Sequence, residues 1–236
     1  MNQEMIKTHK NDFRSQSGNA LWIILIAVAL LAALTATMIR SADTTEQTGD
    51  IERYRIQASE IMRTAAGIAQ TVRNMQMQGI SENVISFQAN DLPAAYNNAN
   101  CTADNCRVFH PRGGGLNYSA PSSGWLDSSH SSLTHYGEWL ISTVNALDGA
   151  GTDNPDMILF IPAIREALCR QINVMQRIHG ATDPIPTSPI TQTPFNGTVP
   201  ATATTIIVDM GRHKSGCFQD TGAGNPYMYY HVLIER

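Results

Sequence analysis

Twenty consecutive uncharged, mostly apolar residues, Ala20–Ile39 (ALWIILIAVALLAALTATMI), constrain this chain more than any other feature. At about 1.5 Å of rise per residue a helix of that length reaches about 30 Å, the depth of a membrane's hydrocarbon core. No other stretch of the 236 residues approaches it, so one membrane pass is expected and a second is not. A secretory signal peptide has a shorter apolar run, then a small-x-small cleavage site and a polar start. Here Thr35-Ala36-Thr37 leads straight into Met38-Ile39-Arg40 and a helical pattern, which reads as a resident helix. Ala36 and Ala42 are small enough to leave signal-peptidase cleavage as the alternative.

Beyond that run about two hundred residues remain, enough for one domain with a real core. The net charge of −4 and a charged fraction of 15% provide no basic stripe, so nucleic-acid binding is not expected. Cys101, Cys106, Cys169 and Cys217 all follow the apolar run, and before it Lys7, Lys10 and Arg14 outweigh Glu4 and Asp12. Both facts favour an N-in, C-out orientation. An even cysteine count in a translocated domain implies two disulfides, with three connectivities open. The preferred pairing is Cys101–Cys106 around a short loop and Cys169–Cys217 tying a helix to a late strand.

After a polar hinge at Ser41–Asp50, apolar or small residues recur at Ile51, Tyr54, Ala58, Ile61, Ala65, Ile68, Val72 and Met75, in alternating steps of three and four. This predicts an amphipathic helix with Glu52, Arg53, Gln57, Glu60, Arg63, Gln70 and Arg73 on its opposite face and Gly79 at its C-terminal cap. With the apolar run it makes a helix of about sixty residues, packed on its own head or, alternatively, forming a stalk. From Asn83 onward short apolar runs broken by Gly, Pro, Asn and Ser predict strands at Val84–Gln88, Arg107–His110, Glu138–Val144, Thr204–Met210 and Tyr227–Ile234. Pro162 followed by Ile164, Leu168, Ile172, Met175 and Ile178 predicts a helix over Pro162–His179, ended by Gly180. The prolines of 181–204 exclude a central strand there and predict an extended surface loop. The fold class is α+β, with residues 1–18 as a leader, 19–80 as the long helix and 81–236 as the head.

A short cationic leader ending in Gly18, followed by Asn19 and the apolar helix, resembles the class III signal of type IV pilins and type II secretion pseudopilins. The resemblance covers roughly Arg14–Ile80. It implies cleavage between Gly18 and Asn19 by a prepilin peptidase, and a pilin-like fold in which the long helix packs on a small antiparallel-sheet head. The expected location is the inner membrane, single pass, with the head in the periplasm, or outside the cell once assembled. The expected partners are other pilin-like subunits, the inner-membrane assembly machinery and the peptidase. Small residues Ala29, Ala33 and Thr37, four apart, permit close helix approach in a filament. The family's usual glutamate at the fifth mature position is Ile23 here, and the first mature residue is Asn19, not phenylalanine. The missing glutamate points to a minor subunit, at the tip or in initiation, and with Asn19 in first place no aromatic N-methylation is expected. The alternative is an uncleaved, single-pass anchored binding or scaffold protein of the periplasm.

The remaining motifs point away from an enzyme. Asp148, Asp153, Asn154 and Asp156 offer four oxygen side chains in a glycine-rich stretch, the ligand type calcium prefers, without EF-hand spacing; a solvated turn explains them as well. The resemblance keeps calcium in view, since some pilin-like heads bind it in a loop; no other cofactor is expected. Cys101, Cys106 and His110 carry zinc-type ligands, but an oxidising compartment favours the disulfide. Arg112-Gly113-Gly114-Gly115 lacks the Gly-Lys-Ser/Thr of a phosphate loop and reads as a turn. Ser128-Ser129-His130-Ser131-Ser132 supplies a nucleophile and a base only as sequence neighbours, and no Gly-x-Ser-x-Gly elbow occurs.

Overall fold

The computed structural model describes residues 17–222 and 224–236, leaving the side chains of 17–20 and 39–48 outside the description. The chain divides into two compact units, Met1–Asp50 and Ile51–Arg236. Helix α1 is assigned over Ser17–Met77, 61 residues, and the expected hinge at Ser41–Asp50 falls within its bounds.

In the second unit the amphipathic part of α1 belongs to the head. Ala58, Ile61, Ala65, Ile68, Ala69, Val72 and Met75 are at most 4% exposed and join one apolar cluster with the strands. Full burial of each larger aliphatic side chain contributes about 1.5–3 kcal/mol. Ile51 departs from the expected stripe and is 55% exposed, because the head begins to cover the helix only near Tyr54. Gly79 adopts φ +88°. Its N–H bonds Gln76 O and the N–H of Ile80 bonds Met75 O, so the left-handed glycine closes the helix as its position predicted.

The strands are β1 (Leu140–Leu147), β2 (Asp156–Ile164), β3 (Thr187–Ser188), β4 (Thr205–Ile207), β5 (Ser215–Asp220) and β6 (Tyr227–Ile234). They form a six-stranded sheet in the order β3-β5-β6-β2-β1-β4. The four inner strands pair antiparallel, whereas β3 on β5 and β4 on β1 are parallel. The sheet is thus mixed and larger than the small antiparallel sheet expected. The reason is that 181–207 runs back along both flanks. Val84–Gln88 and Arg107–His110 form no strands, only a bridge between Ser86 and Arg107.

Helix α2 is Glu166–Gln176, shorter at both ends than Pro162–His179. Pro162 lies in β2, where the pairing with β6 shifts between Ile161 and Ile164, so its missing N–H falls in a bulge. At the other end Arg177, at φ +59°, terminates the helix ahead of Gly180. Two devices lock α2 onto β5: the Cys169–Cys217 disulfide, and Asn173, whose Oδ1 accepts from Cys217 N and whose Nδ2 donates to Cys217 O, both at 2.8 Å. The amide stands in for a strand beyond the two-residue β3. Asn173→Ala strands both of these buried backbone groups, an expected loss of about 2–4 kcal/mol read as a lower denaturant midpoint with unchanged slope.

The proline-rich segment is pinned. Phe195 is buried, its N–H bonds Ile141 O, and Asn145 exchanges two hydrogen bonds with the backbone of Thr191.

Candidate functional site

The apolar part of α1 is a surface of its own. Leu21–Met38 has mean hydropathy 2.5, with none of that window buried. Leu21, Trp22, Ile23, Leu30, Leu31 and Met38 are each more than 60% exposed. The polar atoms inside the run are satisfied locally: Thr35 Oγ1 donates to Leu31 O and Thr37 Oγ1 to Leu34 O. A helix that meets its own hydrogen-bonding needs and turns apolar groups outward on every side is suited to hydrocarbon. The segment fits a membrane anchor or a signal sequence, and the two disulfides fit an oxidising compartment. Gly18 and Asn19 fall in the first turn of α1. The leader charges Glu4, Lys7, Lys10, Asp12 and Arg14 lie outside the described residues.

Both preferred disulfides form, Cys101–Cys106 and Cys169–Cys217, with five and 48 residues of separation. The first removes the thiolates a zinc site would need, and His110 instead faces Asp104 at 3.8 Å. The calcium candidates are not brought together. Asp148, Asp153 and Asn154 are exposed, but Asp156 is fully buried, where its two oxygens accept from Leu147 N and Arg236 N at 2.9 Å. Burial raises its carboxyl above the ordinary range against those hydrogen bonds. The loop is a cradle for Arg236: Thr152 N–H bonds its carbonyl, its side chain pairs with Glu82, and a Cβ on Gly151 would collide with it. Among the described residues no group of three or more His, Cys, Asp and Glu side chains is placed to hold a metal ion.

The glycine run at 112–115 is a turn: Gly113 and Gly114 sit so close to the carbonyls of Arg107 and Val108 that neither has room for a side chain. In the serine-rich loop Asp127 accepts from both the N–H and the hydroxyl of Ser129, which holds its carboxyl below the usual range. It orients the backbone of that loop.

Sequence reasoning missed two features of the head. Glu138 Oε2 accepts from Tyr96 at 3.2 Å and contacts His135 Nδ1 at 2.9 Å, with His135 at φ +63°. Burial and then the Glu138 charge push the Tyr96 phenol well above its ordinary value; burial above all pushes the Tyr118 phenol up to about 12. The second feature is a pair of cavities around Phe109 and Tyr118. The lining joins the 109–119 loop to residues distant in sequence with no motif spacing, so no local signal could have found it. No protein-family model, curated protein or solved structure matches this chain.

Proposed function

We propose that the chain is a minor pilin-like or pseudopilin-like structural subunit, inserted N-in and processed after Gly18, which gives its apolar helix to a filament or secretion pseudopilus. The observation that carries this reading is the division of labour in α1: Leu21–Met38 is exposed throughout, while Ala58–Met75 buries one face in a disulfide-linked head. A helix of that kind needs lipid at one stage and can take neighbouring helices at another. Mass spectrometry of the N-terminus from native membranes tests it. A mature chain beginning at Asn19 is expected, and an intact leader on the membrane-bound protein refutes the proposal in favour of a permanently anchored periplasmic protein.

Ile23 defines the place in the assembly. A carboxylate at that position would neutralise the N-terminal ammonium of an adjoining subunit in the apolar filament core, where an unpaired charge is costly. Without it the subunit is a poor link in a chain of its own kind and suits a tip or an initiation complex. Cells expressing this subunit alone with the assembly machinery are expected to make no filaments, and Ile23→Glu is expected to raise incorporation along the shaft. Long filaments labelled along their length by the unaltered subunit would overturn the tip assignment.

A further inference from the structure

Two cavities of different character open side by side in the head. The first, about 280 Å³, lies between α1 and the 109–119 loop, with Ile68, Leu116 and Trp139 in its lining and Gly67 and exposed Arg63 on the helix side. The second, about 250 Å³, is ringed by Gln88, Asn90, Asp91, Arg107 and His110. Phe109, Asn117 and Tyr118 line both, and the two rings meet edge to face at 5.2 Å. Each cavity alone is below the roughly 300–1,000 Å³ of an ordinary ligand site, and the adjoining pair falls within it.

The chemistry of the walls selects the ligand. The polar cavity presents three side-chain amides, counting Asn117, together with the Asp91 carboxylate and Arg107, whose Nη1 already lies 3.4 Å from Asp104 Oδ1, so it offers both donors and acceptors while the guanidinium charge is met from within the head. That suits a neutral group with several hydroxyls better than an ion. The half-buried faces of Phe109 and Tyr118 offer apolar ring surface to C–H groups. The apolar cavity next door takes a small methyl-bearing substituent. We infer that the pair of cavities binds an N-acetylhexosamine, with the pyranose hydroxyls in the polar cavity and the acetamido methyl in the apolar one. This binding is independent of whether the chain assembles into a filament.

Gly67 supplies the decisive variant. A Cβ there meets nothing within 4 Å, so Gly67→Leu can extend from the helix into the apolar cavity without a clash, at a position where leucine is the better helix former. The experiment is saturation-transfer NMR on the full chain in lipid nanodiscs, with N-acetylglucosamine and N-acetylgalactosamine compared with glucose and galactose. Saturation is expected on the acetamido methyl and ring protons of at least one acetylated sugar. Its binding should be about fourfold tighter than that of the parent sugar, the ratio given by burying one methyl-sized group. Gly67→Leu should abolish the methyl signal, and exposed Asn117→Ala should weaken the ring-proton signal, each with no fall in melting temperature. No saturation by either acetylated sugar, equal saturation by acetylated and parent sugars, or signals that survive both substitutions would overturn the inference. Should Gly67→Leu unfold the head, Asn117→Ala decides alone.

Discussion

Cys169→Ser is expected to lower the stability of the head by about 4 kcal/mol, against about 2 kcal/mol for Cys101→Ser. The difference follows from the loops that the two bonds close, with separations of 48 and five residues: the longer loop removes more freedom from the unfolded chain. The surroundings act in the same direction. Cys169 on α2 and Cys217 on β5 are fully buried, so the replacement leaves a hydroxyl and a thiol in an apolar setting, whereas Cys101 is partly exposed in a loop. Asn173 keeps α2 near β5 in the variant, which makes a weakened but folded head the expected state. Melting temperatures of the two single variants, measured on the full chain, check the ranking, and equal shifts would reject it.

Acidification from about pH 6.5 to pH 4 is expected to cost the head about 3 kcal/mol through one imidazole. Burial, with a smaller contribution from the Arg73 guanidinium on α1, pushes His231 down to about 4. Between that value and the ordinary 6.5 the unfolded chain binds more protons than the folded one, so stability rises with pH across the window and is lost as pH falls through it. Asp156 and Asp220 act in the opposite sense. Burial raises both carboxyls, so the fold favours their protonated forms and gains from them as pH falls toward the ordinary carboxylate value. The net loss should therefore be clearest in the upper half of the window. Denaturant titrations across this range, on the unaltered chain and on His231→Gln, provide the check: the variant's profile should be flatter, and parallel profiles would remove His231 as the cause.

The parts of this fold legible in the sequence are those whose apolar pattern or cap is written within one element. The seam from Ala58 to Met75 repeats at helical spacing, Gly79 marks its end, and Tyr227–Ile234 is found at the predicted bounds. β2 was hidden because an inner strand covered on both faces carries no alternation: MILFIPAI is one apolar run, and Pro162 followed by Ile164, Leu168 and Ile172 imitates the start of a helix. β5 was hidden for another reason. Gly216 is a poor strand former, and it is required because Met210, Ile178 and the Tyr230 ring occupy the space a side chain would need. The Glu138 cluster brings Tyr96 to a carboxylate 42 residues away, and the cavities join a helix to a loop some fifty residues later. Contacts of that range leave no periodic trace.

Both margins of the sheet are occupied from within the chain. On one side β3 and the Asn173 amide meet β5, and on the other β4, Phe195 and Thr204 meet β1. A row of unsatisfied peptide groups would be a template for recruiting further molecules, and here little of one remains. Crowding many heads together therefore offers little opportunity for runaway β-polymerisation. In the filament proposed for this chain, ordered association would fall to the helices, whose contacts with neighbours could be broken and remade without unfolding a strand.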